Sequence, residues 1–383
     1  MPKDCWGTLP AAAAAAGLAK VAMGMETTVM KRAILAMLVT MCPLAVAAQE
    51  QPAQQPAGVD AATATPSATS TSIEDANAQP VFARRFAKRR GSVVGYIEDA
   101  SVGKQFRIRF DSGRDMTSPD RAEFFYAKCG CYRSMTGQPA FDPNAPGPGP
   151  GVVAGLNYQQ LNLLSEYSVG RHASVFVELP FRWIKPTDFL PGTGSFSNQS
   201  GLGDITVGTK VALSSTNSHD ITVMVRGSIP TGDSTKGLGT DHGSIEPALL
   251  VRQTLGGRAQ IEGMFGEWHP TGSSQGPLPG NGNFAGDILY YGIGPSIDIV
   301  QTRNVHIAPV VELVGWHVLS GYDTSTFFAG GTGDASGLNI VNLKIGGRLS
   351  MVNGGSIYVG YGFALTSNQW YDHILRLEYR TRF

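Results

Sequence analysis

The sequence predicts an all-β fold, a transmembrane antiparallel up-and-down β-barrel of about twelve strands. Three observations predict it. Side chains alternate with a period of two from Gln105 onward, the two faces so formed are apolar and charged, and the connections alternate between short and long. Successive side chains of a strand point to opposite sides of the sheet, so each alternating stretch has one face for hydrocarbon and one for water.

The alternation recurs along the chain. Phe106, Ile108 and Phe110 alternate with Arg107 and Arg109, and Val175, Val177, Leu179 and Phe181 with Ser174, Phe176, Glu178 and Arg182. Ile205, Val207, Val211 and Leu213 alternate with Asp204, Thr206, Gly208 and Lys210, and later segments around Val223, Leu249, Ile261, Ile293, Val311, Leu343 and Val359 repeat the pattern. The opposite faces assign Glu178, Arg182, Asp204, Lys210, Arg226, Glu246, Arg252, Glu262, Glu312, Lys344, Arg376, Glu378 and Arg380 to the lumen. A soluble sandwich buries apolar side chains inside, whereas a membrane barrel turns them outward around a polar interior.

Short connections fall near 170–171, 215–218, 256–257, 302–303 and 353–354. Long ones cover roughly 128–154, 184–202, 229–243, 269–284, 319–337 and 365–372 and hold most of the Gly, Pro, Asn and Asp. Short periplasmic turns alternating with longer external loops mark outer-membrane barrels. The closing stretch 373–383 places Leu375, Leu377, Tyr379 and Phe383 on one face and Arg376, Glu378, Arg380 and Arg382 on the other. Its length matches the about 9–11 residues of a tilted membrane strand. Its final aromatic residue resembles the assembly signal of bacterial outer-membrane barrels, which assigns Tyr379 and Phe383 to recognition by the barrel-assembly machinery. Counting back from it, a strand ending near Ala127 and the eleven beginning near Leu156 make an even set; 105–111 then either merges with 121–127 into one bent strand or lies outside the barrel.

Composition agrees. The 383 residues are 16% charged, against about 25% in soluble domains. Lys31 and Arg32 precede an apolar stretch at 33–46 and the small residues Ala45, Ala47 and Ala48. This reads as a secretory signal peptide at about 30–48 within a leader 1–48, too short for a membrane helix of roughly 20 residues. Without that leader, which takes Lys3, Lys20, Lys31, Arg32, Asp4 and Glu26, the chain keeps 26 basic and 28 acidic residues, a formal charge of −2. No nucleic-acid partner follows from so small a charge. Residues 49–103 are expected to form a disordered periplasmic segment, polar and Ala/Gln/Pro-rich at first and carrying the basic cluster Arg84, Arg85, Lys88, Arg89 and Arg90; the barrel is expected over 104–383. Cys129 and Cys131 are the two thiols outside the leader, and a local loop disulfide is expected of them. Two such ligands are not a tetrahedral metal set, and no metal or cofactor is expected. Trp183, Trp268, Tyr291, Trp316, Tyr358, Trp370 and Tyr371, near expected strand ends, are expected to form interfacial girdles.

The stretch Ser200-Gly-Leu-Gly-Asp-Ile-Thr-Val-Gly-Thr-Lys210, with Ile229-Pro-Thr-Gly-Asp233 and Gly239-Thr-Asp241 after it, resembles the transporter-like barrels of the MetA-pathway phenol-degradation family. The resemblance runs over about residues 150–383. It implies an outer-membrane channel for small, often aromatic or apolar, compounds in a Gram-negative bacterium, with outer-membrane lipid and a small-molecule solute as its partners. The residues themselves leave three readings. A channel or transporter fits the two-signed lumen, which is weakly ion-selective if open and is closed if its charges pair across it. A structural or adhesive barrel would act through loop 128–154. A lipid hydrolase requires a serine within reach of a histidine, and Ser244 beside His242 is the nearest candidate; catalysis is not expected.

Overall fold

A computed structural model of the chain describes residues 91–116, 153–189, 191–192, 194–240, 242–271, 285–325 and 331–383. The leader, residues 49–90, Cys129, Cys131 and the stretch 121–127 lie outside the described residues.

Among the described residues twelve antiparallel strands close into one ring. They are β1 (Gln105–Met116), β2 (Val153–Ser168), β3 (Ala173–Phe189), β4 (Ile205–Ser215), β5 (His219–Ile229), β6 (Ser244–Leu255), β7 (Ala259–Pro270), β8 (Ile288–Ile297), β9 (Val305–Val318), β10 (Asn339–Met351), β11 (Gly355–Ala364) and β12 (His373–Arg382). Each strand pairs with the next, and β1 pairs with β12 from Gln105 opposite Arg382 to Arg114 opposite His373, which closes the ring. Short pieces extend it: Gln199–Leu202 lies on β3 ahead of β4, and Val300–Gln301 lies on β9. The segment 105–111, left open by the sequence, belongs to β1 and supplies one wall of the seam.

Glycines at positive φ turn the chain at one end of the barrel: Gly256 and Gly257 between β6 and β7, and Gly354 between β10 and β11. That end carries the short turns and is the periplasmic one by the general rule for such barrels. At the other end β2 and β3 run 16 and 17 residues, beyond the about 9–11 that cross a bilayer, and raise the wall above the membrane.

Burial is inverted relative to a soluble protein. Phe265 is 55% exposed, Ile345 53% and Ile293 51%, all on the outer face, while inward Glu312 is 0% exposed, Lys344 1% and Glu262 1%. Only a closed barrel satisfies every strand backbone while presenting such a surface to lipid. Among the described residues no helix is long and apolar enough to cross a membrane; the crossing is made by strands. The chain is an outer-membrane β-barrel.

Candidate functional site

The lumen is occupied by the chain itself. Residues 91–104, expected to belong to a disordered segment outside the barrel, are described and lie within it; Val94 is 0% exposed, Ile97 2% and Ala100 1%. The segment enters beside Arg382 at the turn end, rises to Tyr96 and Ile97 level with Glu312 and Arg376, and returns to Lys104, whose carbonyl accepts from the N–H of Phe383. The compositional signal for disorder stops at the apolar run Val93-Val94-Gly95-Tyr96-Ile97, which gains too much from burial to remain in water.

Without strand or helix of its own, the segment must find partners for its backbone elsewhere. Side chains of the wall provide them. Glu262 Oε1 accepts the N–H groups of Val93 at 2.7 Å and Val94 at 3.3 Å. Glu312 accepts those of Gly95, Tyr96 and Ile97 at 3.0, 2.8 and 2.9 Å, and the hydroxyl of Tyr358 at 2.9 Å. Arg348 donates to the carbonyls of Val93 and Val94 at 3.0 and 2.8 Å while bound to Glu378 at 2.8 Å. Arg376 donates to the carbonyl of Gly95, and Thr222 to that of Ala100. The segment's own acids complete the set: Glu98 meets Arg107 and Arg226 at 3.2 and 3.3 Å, and Asp99 meets Arg380 at 3.0 Å and also Arg382. Apolar side chains fill what remains, with Val93, Val94 and Ile97 packed on Ala308, Val310, Val314 and Tyr358. Gly294 makes this approach possible, since a Cβ there would stand 2.7 Å from Val94.

Burial alone raises the pKa of Glu98 and of Asp99. Their arginines outweigh it, Arg107 and Arg226 for the first and Arg382 and Arg380 for the second, and hold both carboxyls well below the usual range. A depressed carboxyl contributes stability above its unfolded value of about 4 and loses it only as pH falls toward the folded value. Acidification from about pH 7 to pH 5 is therefore expected to leave the ion pairs of Glu98 and Asp99 with the wall intact, and the segment held through them. Single-channel recordings at the two values check this, and acid-induced opening in that window would contradict the anchoring.

Above the segment, toward the loop end, two adjoining cavities of about 170 and 210 Å³ share Glu98, Arg109, Gln160, Arg226, Glu246 and Trp268. The first is also lined by Glu178, Arg182, Asp204 and Lys210, the second by Lys344 and Arg376. Thus eight of the side chains assigned to the lumen from sequence line this vestibule. Glu262, Glu312, Glu378 and Arg380 lie lower and hold the segment or its neighbours, and Arg252 binds Asp220 near the turn end. Lys210 pairs with Glu166 at 3.1 Å, not with Asp204. Asp204 instead ties the loop after β5, accepting from the N–H of Gly232 and from both the N–H and the hydroxyl of Thr240. Phe383 is 75% exposed and Tyr379 half-buried.

The expected girdle is corrected. Trp183 and Tyr291 face outward, but Trp268, Tyr358, Trp370 and Tyr371 are buried at 6% exposure or less, and Trp316 lines the second cavity. Strand phase decides this: Trp268 shares its face with Glu262 and Met264, and Tyr358 shares its face with glycines 360 and 362. Nearness to a strand end does not set that parity.

Ser244 Oγ is buried and makes no hydrogen bond among the described residues, so it is not paired with His242, whose Nδ1 lies 2.9 Å from the Gly243 carbonyl. That spacing does not make a nucleophile and base. Glu267, His269 and Asp287 converge at the loop end with ligand atoms within 4.8 Å of one another; three partly exposed donors fall short of a closed tetrahedral set.

The model of the family described as "Putative MetA-pathway of phenol degradation" matches residues 152–267, a narrower stretch than 150–383. Over it the chain resembles that family. No curated protein sequence matches the chain. Among solved structures it is similar to an outer membrane channel from Pseudomonas putida F1, with 15% identity, TM-score 0.46, and 76% of this chain and 99% of the other covered. It is also similar to the beta domain of the Bordetella autotransporter BrkA, with 13% identity, TM-score 0.41, and 73% and 100% covered. A third is the Ralstonia pickettii toluene transporter TbuX, with 9% identity, TM-score 0.37, and 74% and 90% covered.

Proposed function

We propose that this barrel passes small molecules with an aromatic or apolar part across the outer membrane, through the vestibule that stands on residues 91–104. The observation that carries the reading is the lining of the larger cavity. Tyr96, Tyr158, Tyr290, Trp316 and Tyr371 face one space of about 210 Å³ beside Met264, Val314 and Ile374. A pore for hydrated ions has no use for so many aromatic faces, whereas concave sites for small organic ligands are built of apolar and aromatic walls with a few placed polar groups. The match to the phenol-degradation family over 152–267 supports the same direction.

In this reading solute enters from the loop end, rests above Tyr96 and leaves when the segment yields. The lumen charges are mostly paired, as with Arg109 and Glu178 at 3.0 Å or Arg226 and Glu246 at 2.6 Å, so they shape the passage more than they select ions. Uptake by a porin-poor Gram-negative strain tests the reading. Cells carrying the gene are expected to accumulate a small aromatic solute such as benzyl alcohol faster than cells without it. Equal rates with folded barrel present in the outer membrane would overturn it.

A further inference from the structure

We infer that the cavity above Tyr96 is a binding site for a small aromatic carboxylate, its ring among Tyr158, Tyr290 and Trp316 and its carboxylate against Lys344. This names the ligand class of the transport reading above and rests on it. Lys344 is 1% exposed and lines the cavity. The arginines around it have acids: Arg376 is bound to Asp111 at 2.6 Å, Arg226 to Glu246 at 2.6 Å and Arg109 to Glu178 at 3.0 Å. Among the described residues no acid stands within ion-pair distance of Lys344. Its register partner across β9 and β10 is Glu312, yet both Glu312 oxygens are turned to the backbone of the inserted segment. A buried ammonium without a counter-charge is costly, and an anion seated there removes the cost.

What surrounds the ammonium is aromatic. Its Nζ stands 4.1 Å from the ring centre of Tyr96 and 4.6 Å from that of Tyr371, and it donates to the Tyr371 hydroxyl. Arg376 covers the Tyr96 ring at 4.1 Å as well, so one ring serves two cations. The faces of aromatic rings attract a cation more weakly than a carboxylate does at contact. Donors for an anion are in place. The Tyr371 oxygen already accepts from Lys344 and from Asn342 Nδ2, which leaves its own proton to donate, and the buried Tyr290 hydroxyl in the same cavity has no hydrogen-bond partner among the described residues.

The charges fix the ligand's valence. Arg109, Arg226, Lys344 and Arg376 line the cavity against Glu98, Asp111 and Glu246, an excess of one positive charge. A monoanion balances it; a phosphate dianion overshoots, and a neutral phenol leaves the ammonium bare.

Tryptophan fluorescence of the purified full-length barrel in detergent micelles reads occupancy, because Trp268 and Trp316 line the cavity. Benzoate is expected to bind at least about tenfold more tightly than uncharged benzyl alcohol or ringless acetate. Lys344→Gln is expected to abolish the advantage of benzoate over benzyl alcohol, and Tyr290→Phe, which removes only an unpartnered hydroxyl, to weaken benzoate alone. Heat-dependent gel migration reports whether each variant is folded; if Lys344→Gln is not, Tyr290→Phe decides. Equal binding of benzoate and benzyl alcohol, or an undiminished benzoate preference in the folded variant that decides, overturns the site. Benzoate binding without gene-dependent uptake would overturn transport and leave this site standing, whereas uptake without a benzoate preference would overturn the site alone.

Discussion

Deleting residues 91–100 is expected to turn the barrel into a conducting channel, with single-channel conductance in planar bilayers raised at least about tenfold. Twelve strands enclose more space than the eight-stranded barrels that side chains alone can fill, and less than an open porin. Here the difference is made up by the inserted segment, whose backbone groups are held by Glu262, Glu312 and Arg348 and whose apolar side chains pack on β9 and β11. Glu312→Ala is a gentler form of the same experiment. It removes the acceptor of three backbone N–H groups and one hydroxyl, so openings are expected without any deletion. Unchanged conductance in a folded deletion variant would show that the passage does not run where the segment lies.

Arg348→Ala is expected to have the largest effect on stability, a loss of about 3–5 kcal/mol. Arg348 is 1% exposed at its side chain and Glu378 is 0%. The substitution takes one of two buried arginines from Glu378, leaving Arg380 at 2.8 Å, and releases the carbonyls of Val93 and Val94 together. Glu378 then keeps its full desolvation with one arginine in place of two, and the two freed carbonyls lose their donor in the interior. Urea unfolding in lipid vesicles, followed by gel migration, measures the shift. A change within about 0.5 kcal/mol, as for an ordinary surface site, would mean that water reaches Glu378 freely.

The barrel was legible because strand phase is a local property. Leu377 and Glu378 differ by one position and therefore face lipid and lumen whatever the rest of the chain does. Strand number followed from loop parity, although β1 itself was placed only once Gln105 was seen opposite Arg382. The inserted segment was not legible by the same means, since it has no period: its order comes from side chains more than 150 positions away, such as Glu262 and Glu312. Its trace in the sequence was a run of apolar residues, Val93 to Ile97, following polar chain and preceding Glu98 and Asp99. The vestibule's aromatics were misplaced for a related reason. Trp370 and Tyr371 lie outside regular strand, where alternation says nothing about direction, and for Trp268 and Tyr358 direction follows strand phase, not depth along the strand.

The ion pairs of Asp99 bear on how the cylinder is made. Arg380 and Arg382 sit on β12, the strand that meets β1 at the seam, and both reach Asp99 a few positions before β1 begins. Until that acid is inside, the closing strand carries two inward cations next to Arg107 on its neighbour, and like charges resist the final zipping of the sheet. Once it is inside, the same cations draw β12 toward β1. Insertion of the segment therefore assists closure of the seam, which the paired strands and the pairs Arg107–Glu178 and Arg380–Glu378 hold without it.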